Sequence, residues 1–233
     1  MASVAPHYTP EALKFFRGLK RNNDRDWFNA RKKIYEQHIK APTHAIVVAI
    51  NEELLRFAPE YVRPPQKAVF RIYRDIRFSS DKRPYKNHQG AWWTRHGLEK
   101  TSGGGFYFHV AGDEVVVAAG VYMPEREQLL AIRRHIEANH AEMRTLLKSK
   151  KLVSLLGEWQ GHKLTRPPKG FLPDSPAADL ILNRQWGFSA KLPADQATQP
   201  TLVKEIVKRF QAAAPLVAFL NQPLTSKPRK PLF

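Results

Sequence analysis

Cysteine is absent from this chain of 233 residues, which excludes disulfides, thiol nucleophiles and every cysteine-ligated metal site. Nothing in its composition therefore argues for an oxidising compartment. Long apolar runs are missing too. A bilayer span needs about 20 consecutive apolar residues, and the longest run here, around residues 45–50, reads as half of one amphipathic helix. The opening MASVAPHYTPEALKFFRGLK has no apolar core followed by a small-residue cleavage site, so no secretory signal and no membrane insertion are expected. A cytoplasmic location follows as the default. Acidic residues are also scarce, 21 against 38 lysines and arginines, for a formal net charge of +17. Such a field favours anionic partners, phosphorylated small molecules or nucleic acid.

The positive excess is spread along the chain. Residues 11–40 carry nine Lys/Arg against four acids, 63–100 carry ten against three, and 144–170 carry seven against one. A distributed excess supports nucleic-acid binding less well than one concentrated stripe. The chain length suits one domain with a full hydrophobic core. We expect residues 1–222 to form it, with 223–233 as a basic, proline-containing tail holding Lys227, Arg229 and Lys230.

Thr9-Pro10-Glu11 is a helix start: hydroxyl cap, proline at the first helical position, acid in the first turn. Leu13, Phe16 and Leu19 follow at helical spacing. Asn22-Asn23-Asp24 ends that helix and caps a second, in which Trp27, Arg31, Ile34 and His38 line one side. Pro42 opens a third, burying Ile46, Ala49, Ile50, Leu54 and Phe57, and 59–65 is a break. Strands are expected at Phe70–Tyr73, Gln89–Thr94 and Phe106–Val110, the last turning at Gly112-Asp113 into Glu114–Tyr122. Short polar connections imply antiparallel neighbours. A helix after Pro124 carries Leu129, Ile132, Arg133 and Ile136. Basic loops and short turns fill 146–176, Trp186-Gly187-Phe188 adds a short strand, and Leu202 to Phe210 begins a final amphipathic helix. The plan is α+β: an antiparallel sheet of about four to five strands with N-terminal and C-terminal helices.

Between Arg71 and Lys86 the chain reads RIYRDIRFSSDKRPYK. A solvated face is rich in lysine and glutamate; this stretch is rich in arginine and aspartate, which make planar, bidentate contacts. Read as a strand, Phe70, Ile72, Arg74, Ile76 and Phe78 share one face and Arg71, Tyr73, Asp75 and Arg77 the other. Arg74 then interrupts an apolar row and needs a partner; Asp81 or a remote carboxylate suits it better than the adjacent Asp75. Alternatively the strand ends near Tyr73 and the rest is a shaped loop. Arg71, Tyr73, Arg74, Arg77, Lys82, Tyr85 and Lys86 are the candidate ligand-binding residues. The same groups can instead form an architectural ion-pair network, and the two roles can coexist.

The run Arg71, Arg74-Asp75, Arg77-Phe78, Asp81-Lys82, Tyr85 resembles the signature of a bacterial and fungal family, domain-of-unknown-function family 2461. Asn23, Asp26-Trp27-Phe28, Gly103-Gly104-Gly105, Tyr122-Met123-Pro124, Arg166-Pro167-Pro168-Lys169-Gly170-Phe171 and the closing Pro215-Leu216, Phe219-Leu220-Asn221 match it too, over residues 9–222. The resemblance implies one domain of this length and transfers no catalytic roles. The basic tail after Asn221 departs from it.

If chemistry occurs at 71–86, phosphoester chemistry suits the arginines, with Asp75, Asp81 or His88 moving a proton. His88, His96 and His109 show no two-ligand spacing, so no metal site is assigned, and no cofactor motif is present: Gly103-Gly104-Gly105 is followed by no Gly-Lys-Ser/Thr and reads as structural. Trp92, Trp93, Phe106, Tyr107 and Phe108 can stack bases, but adjacent strand residues face opposite ways, so at most half can share one platform.

Overall fold

Pro10 starts a helix at the position its fixed φ favours, and helices, then strands, then helices follow, with one late strand before the last helix. A computed structural model describes residues 4–98, 103–159 and 161–225. The order is α1 (Pro10–Arg21), α2 (Arg25–Asn29), α3 (Lys32–Tyr35), a π-helical turn (Glu36–Lys40), α4 (Ala41–Leu54) and α5 (Pro65–Ala68). Strands β1 (His88–Thr94), β2 (Gly104–Ala111) and β3 (Glu114–Val121) follow. Then come α6 (Arg126–Ala138), α7 (His140–Leu147), α8 (Lys150–Leu156), α9 (Ala178–Ile181), β4 (Trp186–Pro193) and α10 (Leu202–Thr225). The four strands form one antiparallel sheet in sequence order, so the fold class is α+β as expected. No helix among the described residues is long and apolar enough to cross a membrane. Lys227, Arg229 and Lys230 lie outside the described residues.

The described chain clusters into two compact units. The first comprises the described parts of Met1–Trp93, Tyr107–Val117 and Ala190–Lys208. Its core is built on Phe16, Leu19, Ile39, Ile46, Ile50, Trp93 and Phe108, all at or near zero exposure. Here the β2–β3 turn is fastened to α1: Arg17 Nε donates to the Gly112 carbonyl at 2.8 Å and Lys20 pairs with Asp113 at 2.9 Å. The second unit comprises Thr94–Phe106, Ala118–Ser189 and the described part of Arg209–Phe233. Asn221 of α10 clasps β2 in it, accepting from Gly104 N at 2.7 Å and donating to Gly104 O at 2.9 Å. A Cβ on Gly103 would stand 2.5 Å from Asn221 Oδ1, so close approach of this side chain, the structural reading, accounts for Gly103 and Gly104.

Several expectations need correction. The second helix is not continuous, and its buried residues are Phe28, Tyr35 and Ile39, not the row Trp27, Arg31, Ile34 and His38. A break after Asn29 and the wide π turn change the residues per turn, so extrapolating 3.6 selects the wrong face. On α4 the buried set includes Thr43 and Val47 in place of Ala49 and Phe57. Thr9 occupies the cap position of α1, yet its hydroxyl lies 3.0 Å from His38 Nδ1 and makes no cap bond. The span 146–176 contains α8, capped by the Ser149 side chain, and β4 runs to Pro193, past the expected Phe188.

The largest correction concerns Phe70–Tyr73, which is no strand. It makes only isolated antiparallel bridges, Val69 with Ala91 and Tyr73 with Tyr85. Four residue steps on one side, 69 to 73, answer six on the other, 85 to 91. A two-residue slip of that kind breaks a ladder. The buried Gln89 bridges it: Nε2 donates to the Phe70 carbonyl at 2.5 Å, while Oε1 accepts from Tyr35 Oη at 3.1 Å.

Candidate functional site

The segment 69–91 is an irregular hairpin whose tip, 75–83, holds most of the arginine and aspartate groups. Backbone bonds from Arg74 N to Pro84 O (2.9 Å) and Lys86 N to Ile72 O (2.8 Å) close its base. Asn23, in the α1–α2 connection, grips that base from both sides. Its Oδ1 accepts from Tyr85 N and its Nδ2 donates to Tyr85 O, both at 3.0 Å, and Nδ2 also reaches Asn87 Oδ1 at 2.8 Å. Tyr85 is thereby pressed onto Phe28, with ring centroids 4.1 Å apart and planes 12° from parallel. Tyr73 sits beside Tyr85 at 5.4 Å.

The expected alternation persists without a ladder. Ile72 is buried and Arg74 and Ile76 half-buried, whereas Arg71, Tyr73, Asp75 and Arg77 are exposed. Parity fails at Phe78, which is 95 % exposed at the tip. Arg74 pairs with Asp81, one of the two kinds of partner expected for it beside a remote carboxylate. Asp81 also takes Arg83 in a fork, Nη2 at 2.6 Å and Nε at 2.9 Å. Asp75 holds Arg77 likewise, Nη2 at 2.7 Å and Nε at 3.0 Å.

These forks set the carboxylates' protonation. Hydrogen bonds from Arg77 hold the Asp75 carboxyl down at about 2. Those from Arg83, then Arg74, hold Asp81 well below the usual carboxylate range. Both aspartates are ionised acceptors that orient guanidinium groups. The two lysines shape the backbone: Lys82 Nζ donates to Ile76 O at 3.0 Å, and Lys86 Nζ donates to Arg71 O at 2.9 Å while lying 5.1 Å from the Phe70 ring centre.

Tyr73, Arg74, Ile76, Pro84 and Tyr85 line a cleft of about 360 Å³, closed on its other side by Arg25 and Asn29 of α2. Three of the expected binding residues thus converge: Tyr73, Arg74 and Tyr85. Arg71, Arg77, Lys82 and Lys86 are not in the lining. Arg25 and Asn29 were missed, since an arginine and an asparagine on a short polar helix look like any solvated pair. The one signal is position: Arg25 lies within the family-matching Asn23 to Phe28 segment, and Asn29 directly follows it. Arg25 has no hydrogen-bonded carboxylate among the described residues.

His88 stands apart from the cleft, as the first residue of β1, with its ring 4.4 Å from that of His109 on β2. Burial, then His109 and Lys86, push its pKa down to about 4, and burial lowers His109 as well despite Glu114 at 3.8 Å. The native pair therefore binds fewer protons than the unfolded chain between about pH 6.5 and 4. The pair's contribution to stability is expected to fall as pH drops through that window and to change no further below it, where the depressed carboxylates Asp75 and Asp81 continue the decline, with His88 contributing roughly 3 kcal/mol. Urea titrations at closely spaced pH values measure the slope; His88→Phe should flatten it, and an unchanged slope in that variant contradicts the assignment.

The aromatic strand residues divide by parity. Trp93, Phe106 and Phe108 are fully buried, while Trp92 and Tyr107, 6.2 Å apart, are half-buried on the opposite face. Among the described residues no group of three or more His, Asp or Glu side chains is disposed to hold a metal ion.

No curated protein matches the chain. A family model described as a conserved hypothetical protein, DUF2461, matches residues 11–219, a range that holds the Asn23 grip and the whole hairpin and stops two residues short of Asn221, and the chain belongs to that family.

Proposed function

We propose that the cleft between α2 and the base of the 69–91 hairpin binds a phosphorylated or otherwise polyanionic ligand. One observation carries this reading: Arg25 and Arg74, from segments far apart in sequence, line one cleft. Arg74 is held by Asp81, so it meets a ligand already oriented; Arg25 has no competing carboxylate among the described residues. Preorganised guanidinium groups suit phosphate oxygens in geometry and charge. The net charge of +17 adds long-range attraction for such a ligand. Asp75–Arg77 and Asp81–Arg83 are the architectural share of the motif, stiffening the tip that carries the cleft wall.

Phosphoester chemistry at this site would need a group that exchanges protons near neutrality. Asp75 and Asp81 are locked as ionised acceptors, and His88 packs on His109 away from the lining. Binding is accordingly the function we assign, and these three residues take orienting and packing roles.

Thermal denaturation with tripolyphosphate, ribose 5-phosphate and nucleoside phosphates tests this. A ligand present at a hundredfold its Kd should raise the melting temperature by about 5–10 °C. Arg25→Ala should abolish that rise and leave the unliganded protein unchanged, because an exposed, unpaired side chain contributes little to stability. No rise with any of these compounds, or an undiminished rise in Arg25→Ala, refutes the proposal. Affinity for random oligonucleotides that falls steeply with salt and ignores Arg25→Ala would favour nucleic-acid binding over the surface.

A further inference from the structure

Resting on that anion reading, we infer that the ligand is a mononucleotide, its phosphate on Arg25 and Arg74 and its base against Tyr73. A bare phosphate or sugar phosphate uses only part of the cleft. The polar groups are Arg25, Arg74 and Asn29; the rest of the lining is ring and aliphatic surface from Tyr73, Tyr85, Ile76 and Pro84. A site of about 360 Å³ divided in this way suits a small ligand that is anionic at one end and flat and apolar at the other.

Tyr73 is the residue that selects a base. Its bridge partner Tyr85 is buried against Phe28, yet Tyr73 itself keeps 50 % of its surface open. It ends a column of rings: Tyr35 to Phe28 at 5.3 Å, Phe28 to Tyr85 at 4.1 Å, Tyr85 to Tyr73 at 5.4 Å. The backbone bridge to Tyr85 fixes its main chain, and ring contacts with Tyr85 at 5.4 Å and Phe28 at 6.2 Å support one side of its ring, so stacking on the other sacrifices less side-chain freedom. Its hydroxyl has no hydrogen-bond partner among the described residues. Asn29 likewise has an unengaged amide there, which offers a donor and an acceptor together, the pairing that reads the edge of a purine. One open ring in one compact cleft matches a single nucleotide; a strand needs an extended groove with successive platforms.

Calorimetric titration of adenosine, guanosine, cytidine and uridine 5′-monophosphates, ribose 5-phosphate and inorganic phosphate separates the possibilities. At least one nucleotide should bind about tenfold or more tightly than ribose 5-phosphate. Tyr73→Ala should reduce it to the ribose 5-phosphate level, Tyr73→Phe should retain most of the difference, and Arg25→Ala should weaken nucleotide and sugar phosphate alike. Equal binding of ribose 5-phosphate and every nucleotide overturns the base assignment while the anion site stands. A difference that survives Tyr73→Ala overturns it also. Binding of none of the six overturns the mononucleotide, and the anion reading falls with it when tripolyphosphate also fails to bind; a short mixed-sequence oligonucleotide that binds more tightly than any mononucleotide makes the ligand a strand.

Discussion

Gly120→Ala is expected to leave little folded protein. Gly120 lies in β3 with φ at +124°, a conformation that L side chains rarely adopt. A Cβ built there would stand 2.1 Å from the Trp186 carbonyl oxygen and 2.8 Å from Gly187 Cα, both backbone atoms of β4. Backbone of a paired strand cannot rotate aside as a long side chain can, so β3 and β4 must separate locally or the sheet must bend. Residues forced into glycine-only backbone regions cost about 1–3 kcal/mol before any clash. The steric term comes on top, and overpacking in a tight interior adds about 1–3 kcal/mol or more. Together these reach the lower end of the stability of a typical domain, about 5–15 kcal/mol. Gly97→Ala is the control: φ is +82° there, but nothing lies within 4 Å of the added methyl. It should lower stability by no more than about 1–3 kcal/mol, the backbone term alone. Denaturant midpoints of both variants are the measurement, and similar midpoints would show that β3 and β4 are not so close at Gly120.

The order of elements and the β2–β3 turn were legible because they rest on local chemistry: Pro10 and Asp24 at helix starts, Gly112-Asp113 between two apolar runs. The Arg74–Asp81 pair was legible for a different reason. Strand-like parity put Arg74 among Ile72 and Ile76, and a guanidinium there demands a carboxylate on its own side. Parity survived even though the strand did not form, since successive side chains alternate in any extended segment. The missing ladder was not legible. It follows from the two-residue slip between the Val69–Ala91 and Tyr73–Tyr85 bridges, which tertiary bonds from Asn23 and Gln89 impose. The cleft was half legible. Tyr73, Arg74 and Tyr85 carry the signature, but Arg25 and Asn29 come from a helix placed by Asn23, and no local pattern announces that a distant asparagine holds a hairpin. The triple glycine was read correctly as structural, whereas its partner Asn221 gave no sign beyond the family resemblance.

Arg133, carried on α6 beside Ile132 and Ile136, gives the second large effect. It is 6 % exposed. Its guanidinium is bonded to backbone, with no carboxylate partner among the described residues: Nε donates to the Ile181 carbonyl and Nη2 to the Asn183 carbonyl, each at 2.9 Å. Those carbonyls belong to the end of α9 and the turn beyond it, where the last oxygens of a helix lack partners of their own and carry partial negative charge. The guanidinium is thus the cap that lets this end of α9 be buried against α6. Removing it with Arg133→Ala strips two buried acceptors of their donors and opens a cavity the length of the side chain. Unsatisfied buried carbonyls cost about 1–3 kcal/mol each, so a loss of about 3–5 kcal/mol is expected. Arg133→Lys should recover only part of it, because one ammonium cannot present two donors in the planar fork that Nε and Nη2 provide. Arg133→Met separates packing from bonding: it restores apolar volume but no donors. If Met matches the wild-type denaturation midpoint, the carbonyls have found other donors and the capping role fails. If Lys outperforms Met, the bonds rather than the volume hold α9, and its packing on α6 depends on one buried cation.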